Sequence, residues 1–337
     1  METDRLGSVL GSASLPGPGY LSACRPAGEK IDGAGPRGQT AAGKNEIFVN
    51  LFGPYHRGRE AIVKKADGTA AMAAIFDELA AGYDCAALRF FPFAADAMAD
   101  EADLKPGLRV LDLATGTGAV ATAVAQRIRP TGRVIGIDVS PAMLDRAWAN
   151  VRRMALHNVD LHEMDAMAPG FRAQWFDRVL CGFGLFFLPD PPAALRAWAR
   201  LLKPEGLLTL SVFARGAFEP FLGLLRSALA AEGGTLGDWT PPWAVTEDST
   251  VVAEWLQAAG FEPPRVRQRD FGYHLDRPED WWALLWNSFF RRLLESLPPD
   301  RREDFRQRHL AQVAQRLRAG DSALAVPVTF LTAVRAA

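Results

Sequence analysis

From Leu108 onward, short apolar runs alternate with stretches whose apolar residues recur every three or four positions. That alternation is the signature of βαβ units built around a parallel sheet. The runs predict strands at Leu108–Leu113, Arg133–Asp138, Val159–His162, Phe176–Cys181 and Leu207–Phe213. Helices are predicted between them, near Ala119–Ile128, Pro141–Met154 and Pro192–Leu202. The second of these has a sound start, because Ser140 supplies an N-cap acceptor and Pro141 has no N–H to lose at the first helical position. Upstream, Met72, Ile75, Phe76 and Leu79 share one helical face and lead into Gly82-Tyr83-Asp84 and an aromatic cluster, Phe90, Phe91 and Phe93.

Downstream the pattern loosens over Ala214–Asp248, which is rich in Gly, Pro and Trp. A helix at Thr250–Ala259 then ends at Gly260, and a sixth strand is predicted around Arg265–Tyr273. A helical stretch carrying Trp281, Trp282, Leu285, Trp286, Phe289 and Phe290 follows, then a charged helix from about Asp300 to Arg318. The apolar run Ala323–Val334 closes the sheet. The expected fold is therefore α/β: a doubly wound, seven-stranded, mainly parallel, Rossmann-like sheet with its last strand antiparallel and a helical cap.

Residues 1 to about 45 contain LPGPG and DGAGPRG and few large apolar side chains, so they cannot bury enough surface to offset chain entropy and are expected to be a disordered leader. The expected organisation is that leader (1–45), an N-terminal helical cap (46–104), a cofactor-binding core (105–214), and a remainder (215–337) that completes the sheet and carries cap insertions at 215–248 and 278–320. A hydrophobic fraction of 49% in 337 residues suits a globular protein with a full core. Lys and Arg total 38 against 39 acids, which argues against the basic face a nucleic-acid partner demands. Cys24, Cys85 and Cys181 are too scattered for a metal site or a disulfide framework, which fits a reducing, cytoplasmic setting. No apolar run approaches the roughly 18–20 residues that cross a bilayer, and no secretory h-region opens the chain, so membrane insertion is not expected. A small-molecule substrate is the partner this profile suits, and a homodimer is compatible with it.

The chemistry is concentrated at Val110–Gly118, VLDLATGTG. Glycines at the end of a first strand let the backbone turn sharply and approach a ligand, while the following helix aims its unpaired N–H groups at it. Asp138 ends the next strand, 20 residues after Gly118, and the crevice rule puts it on the same side of the sheet, where a carboxylate can accept both hydroxyls of a ribose. The spacing alone leaves the nucleoside open. Gly116-x-Gly118-x-x-Ala121 also satisfies the dinucleotide fingerprint, with Asp138 suited to NAD.

Further residues narrow the choice. LDLATGTG, with Asp112 inside the strand before the glycines, resembles the first motif of class I S-adenosylmethionine-dependent methyltransferases, and is most similar to the ubiquinone/menaquinone-biosynthesis type and its small-molecule relatives. The similarity continues through Ile137-Asp138-Val139-Ser140-Pro141-Ala142-Met143-Leu144, Met164-Asp165-Ala166, Phe176-Asp177-Arg178-Val179 and Leu201-Leu202-Lys203-Pro204-Glu205-Gly206-Leu207. Phe76-Asp77-x-x-Ala80-x-x-Tyr83-Asp84 resembles the group's leading helix.

The resemblance implies S-adenosyl-L-methionine as cofactor, with S-adenosyl-L-homocysteine as its product. It implies that Gly116 and Gly118 lie under the methionine part, that Asp112 reaches its amino group, and that Asp138 holds the ribose. Val139 and Met143 would line the adenine, Asp165 with Ala166 would meet its edge, and Cys181 would open the loop beside the methyl group. Ala114 stands where the first glycine is usual, and Met167-Ala168-Pro169 replaces the Leu-Pro-Phe that often follows the adenine aspartate.

Methyl transfer from a sulfonium needs chiefly alignment and exclusion of water, so no obligatory catalytic triad is expected. The candidate catalytic residues are His274, as a base after the sixth strand, and Tyr83, as a cover for the sulfonium that also contacts the cofactor. Glu219 and Asp190 are weaker candidates, and His157 and His162 lack the third ligand a metal site requires. The stripe Trp281, Trp282, Trp286 and Phe290 has the spacing of a buried helix face, with an aromatic lid as the alternative. Asp190-Pro191-Pro192 resembles the Asp-Pro-Pro-Tyr of nucleic-acid amino methyltransferases, but Ala193 replaces the aromatic and the motif falls well beyond the strand-four end. The expected function is methyl transfer to O, N or C of a small, apolar or aromatic metabolite. The competing readings are an NAD-dependent oxidoreductase and a non-catalytic S-adenosylmethionine-binding protein.

Overall fold

In the computed structural model, residues 65–233 and 239–336 are described, so the predicted leader lies outside them. Five parallel strands carry the first half of the sheet: β1 (Arg109–Leu113), β2 (Arg133–Asp138), β3 (Val159–Glu163), β4 (Phe176–Gly182) and β5 (Leu202–Phe213). They are completed by β6 (Arg265–Asp270) and by the last strand, β9 (Pro327–Val334), in the spatial order β3-β2-β1-β4-β5-β9-β6. β9 runs antiparallel to both β5 and β6. The doubly wound, seven-stranded reading of the sequence is the observed fold. Its continuous apolar runs are explained by position: Val110, Leu111 and Leu113 of the central β1 are fully buried between helices on both faces.

Before β1 lie α1 (Lys65–Leu79) and α2 (Phe90–Glu101); α3 (Ala119–Arg127), α4 (Pro141–Arg153) and α5 (Pro191–Leu201) are the crossovers. Caps fix their starts. Ser140 Oγ accepts from the Met143 amide with Pro141 at the first position, and Asp190 caps α5 in the same way through Ala193. Chain connections leave β1 and β4 in opposite directions, which opens a crevice at their carboxyl ends. α1 lies across α4, with Leu79 and Ala80 packed on Met143 to roof the crevice.

The C-terminal half adds α6 (Phe221–Ala231), α7 (Ser249–Ala258), α8 (Pro278–Trp286), α9 (Phe290–Glu295) and α10 (Pro299–Arg318), plus a two-stranded ladder of β7 (Tyr273–His274) and β8 (Ala323–Leu324). Three expectations are corrected here. The sixth strand stops at Asp270, whose Oδ1 accepts from both Gly272 and Val326 and turns the chain out of the sheet. A Cβ at Gly272 would sit 2.4 Å from the Leu324 carbonyl oxygen, so only glycine fits that bend. The final run is correspondingly split into β8 and β9. α2 and α6, read as an aromatic cluster and a loosened segment, are helices that lack side-chain caps. Trp281, Trp282 and Phe290 are core residues of the C-terminal helices, and Trp281 Nε1 donates to Nε2 of the buried His309 on α10 at 2.9 Å. No helix among the described residues is long and apolar enough to cross a membrane.

Candidate active site

The crevice deepens into a cavity of about 1360 Å³, counted out to its open mouth. Its floor is the glycine loop. Ala114 (φ +53°), Gly116 (φ +54°) and Gly118 (φ +83°) all take left-handed backbone, and this winds the chain back between β1 and α3. A Cβ on Gly116 would meet nothing within 4 Å and would project into the cavity, whereas one on Gly118 would press on Ala147 of α4 at 3.2 Å. Gly116 thus leaves room for a ligand, and Gly118 lets two helices approach.

Asp138 ends β2 at the rim and is 9% exposed. Its Oδ2 accepts from the Gly116 amide at 2.8 Å and its Oδ1 from the Ser140 amide at 2.9 Å, which fixes the carboxylate plane toward the cavity it lines. Burial pushes its pKa up, and the amides of Ser140, Gly116 and Val139 oppose that shift. On the next strand end, Asp165 accepts from Met167 N at 2.8 Å and from Thr69 Oγ1 of α1 at 3.3 Å. Val139, Met143 and Ala166 line the same wall. Trp198 fixes Ala166 from behind by donating to its carbonyl at 2.7 Å.

Tyr83 faces the cavity beside Phe76 and stacks on Phe91 at 5.2 Å. Burial first, then the charges of Asp138 and Asp84, raise its pKa far above the ordinary phenol value, so it is a hydrogen-bond donor and cannot act as a base near neutrality. Phe183, Phe186 and Phe187, from the segment after β4, complete an aromatic wall, Phe183 meeting Phe91 at 5.3 Å and Phe187 meeting Phe76 at 5.2 Å.

The remaining candidates lie elsewhere. Asp112 sits beneath the loop, 1% exposed, behind Thr115, whose hydroxyl donates to its Oδ2 at 2.5 Å. Its other oxygen makes no well-formed hydrogen bond among the described residues. Cys181 is outside the cavity: its thiol is buried against the Gly184 amide and Asp112, and burial pushes it up to about 12. Its neighbours Gly182, Phe183 and Gly184 reach the cavity instead.

His274 is exposed on the β7–β8 ladder, with Nδ1 2.8 Å from Ser322 Oγ, and faces no part of the cavity. Asp190 is committed to capping α5, and Glu219 Oε2 accepts from the Gly223 amide. His157 and His162 do not line the cavity, and no group of three metal-ligating side chains is found among the described residues. Sequence reasoning missed Thr69, Phe91 and the Phe186–Phe187 pair. Of these, only Phe91 carried a signal, as part of the aromatic cluster.

A glycine loop at the switch point, an acid ending the second strand and a second acid ending the third define a nucleoside-cofactor enzyme of the doubly wound α/β class. Residues 110–206 match the family pattern of a methyltransferase domain. Nocamycin O-methyltransferase of Saccharothrix syringae is 30% identical over 275 residues, which cover 77% of this chain and 96% of that protein. Aklanonic acid methyltransferase DauC of Streptomyces sp. (strain C5) is 36% identical over 225 residues, 66% of this chain and 92% of that protein. Demethylmenaquinone methyltransferase of Lactobacillus johnsonii shares 40% identity over 104 residues, 31% of this chain and 43% of that protein. The chain belongs to the class I S-adenosylmethionine-dependent methyltransferases, and S-adenosylmethionine is its cofactor. The nicotinamide reading is not favoured.

Proposed function

We propose that the protein methylates an oxygen of a small, acidic, largely apolar molecule. Asp138 would hold the cofactor ribose, the loop Ala114–Gly118 its methionine part, and Val139, Met143, Asp165 and Ala166 its adenine. Asp112, expected from the sequence to reach the amino group, is buried behind Thr115 and would instead brace the loop from below. Once bound, the cofactor supplies a methyl group already activated on a sulfonium. The chain's own task is then to align the acceptor and keep water out. Tyr83, Phe76 and Phe91 cover the loop from above, and Phe183, Phe186 and Phe187 offer flat apolar faces to the acceptor.

One observation carries the choice of acceptor. Among the described residues lining the cavity, the ionisable side chains are Asp138, Asp165 and Tyr83. The first two are engaged with the cofactor in this reading, and Tyr83 holds its proton. An acceptor that arrives already ionised, such as a carboxylate or an acidic phenol, needs no base. The relatives support oxygen: one is named an O-methyltransferase and another is named for an acid.

The test is incubation with S-adenosylmethionine and a panel of aromatic carboxylic acids, phenols and amines, followed by mass spectrometry. Methyl esters or ethers are expected, and methylation confined to nitrogen or carbon would refute the assignment. Calorimetry with S-adenosylhomocysteine should show binding that Asp138→Ala abolishes.

A further inference from the structure

Asp77 lies near the C-terminal end of α1, where a carboxylate is at the unfavourable end of the helix dipole. It is compensated across the crevice. Its Oδ1 accepts from Ser140 Oγ at 2.6 Å and from the Ala142 amide at 3.1 Å, at the N-terminus of α4. Ser140 Oγ accepts in turn from the Met143 amide, so its single proton is committed to Asp77. The Ser140 amide donates to Asp138 Oδ1, and Asp138 Oδ2 takes the Gly116 amide. A continuous path of hydrogen bonds thus runs from the roof helix through Ser140 and Asp138 to the glycine loop on the floor.

Seven residues further on, Asp84 repeats the device. It accepts from Arg146 and from Asn150 Nδ2 at 3.1 Å each, and Asn150 also donates to the Thr117 carbonyl of the loop at 2.9 Å. Phe76 and Tyr83, each preceding one of these acids, are the residues turned to the cavity. A purely structural Asp77 would only pack one helix on another. Against it, the partner of Asp77 is the same residue whose amide orients Asp138.

We propose that Asp77 is a positioning residue for cofactor binding, which acts through Ser140 to hold the Asp138 carboxylate in place while pinning the aromatic roof. The inference rests on Asp138 as the ribose-holding acid. Its test is calorimetry with S-adenosylhomocysteine, at a temperature where melts show every protein folded, on the wild type, Asp77→Ala, Asp77→Asn, Ser140→Ala, Asp77→Ala/Ser140→Ala and Asp138→Ala.

Asp77→Ala is expected to weaken binding about tenfold. Asp77→Asn, which keeps an oxygen for both donors, should recover most of that loss. Ser140→Ala should match Asp77→Ala, and the double variant should bind no worse than the weaker single, as two members of one path behave. Unchanged affinity in Asp77→Ala, or losses that simply add, overturn the inference. If Asp77→Ala does not fold, the comparison of Asp77→Asn with Ser140→Ala decides by the same rule: Ser140→Ala must weaken binding and Asp77→Asn must largely retain it. Failure of the functional reading looks different, because Asp138→Ala would then bind as tightly as the wild type.

Discussion

Thr115 Oγ1 donates to Asp112 Oδ2 across 2.5 Å beneath the glycine loop, at a depth where Asp112 is only 1% exposed. One hydroxyl and a weaker pull from the Ala121 amide do not replace the water a carboxylate loses there, and burial lifts the Asp112 pKa to about 7. The folded protein therefore keeps a proton that the unfolded chain releases near pH ~4. The stability linked to that proton is complete below this pH and is lost as pH rises through 7, with a limit of roughly 4 kcal/mol. Asp112→Asn removes the dependence. Thermal melts should find the variant close to the wild type near pH 4 and increasingly more stable up to pH 8, while its affinity for S-adenosylhomocysteine falls. A variant that loses stability equally at both pH values would contradict this account.

Ala114 and Gly184 face each other across the loop. Ala114 holds φ +53°, which costs an L-residue about 1–2 kcal/mol. A Cβ on Gly184 would stand 2.7 Å from Ala114 Cβ and 2.9 Å from Cys181 Sγ. Gly184→Ala should therefore cost about 1–3 kcal/mol in urea unfolding. Ala114→Gly should be neutral or stabilising by up to ~1 kcal/mol, since relieved strain is partly offset by the freer unfolded chain. Combined, the two substitutions should cost less than their sum, because one of the two clashes is gone. Strict additivity would show that Ala114 is not the obstacle.

The sequence exposed what depends on periodicity and caps. β1 to β5, α3 to α5 and the glycine loop with Asp138 were all legible because buried parallel strands are apolar throughout and Ser140-Pro141 announces a helix. α2 was not, since Phe90-Phe91-Pro92-Phe93 opens it without a capping side chain and reads as a cluster. The split at Asp270–Gly272 depends on contacts with Val326 and Leu324, more than fifty residues away, which no local pattern encodes. At the site, the loop and Asp138 follow from spacing, and Asp165 from the family resemblance. His274 did not survive because its ladder turns it to solvent, and Cys181 because alternation along β4 buries its side chain under the loop.

His309 supplies a second titration, of opposite sign to that of Asp112. Buried against Trp281 and stacked on Phe305, its ring is held neutral, with burial pushing the pKa down to about 4. The unfolded chain takes up its proton near pH ~6.5, so this stability is complete above that pH and is lost as pH falls toward 4, by at most about 3 kcal/mol. His309→Gln keeps an acceptor for the Trp281 N–H and cannot titrate. The stability of the variant relative to wild type should rise between pH 7 and pH 4.5, read by denaturant midpoints. A constant difference over that range would rule out His309 as the source.

The cavity predicts whose proton governs turnover. With Tyr83 held protonated and His274 exposed on the β7–β8 ladder, neither candidate base is placed to take a proton from an acceptor in the cavity. The acid limb of kcat/KM should then track the acceptor, shifting when one acidic acceptor is exchanged for another of different pKa. His274→Ala should retain activity within about twofold and leave the profile unmoved, as expected of a surface residue. Tyr83→Phe should lower affinity for the cofactor and leave the pH profile in place, because it removes a donor and no base. If the limb stayed fixed across acceptors and moved in His274→Ala, the imidazole would have to reach the cavity in the working enzyme, and the base-free reading would be lost.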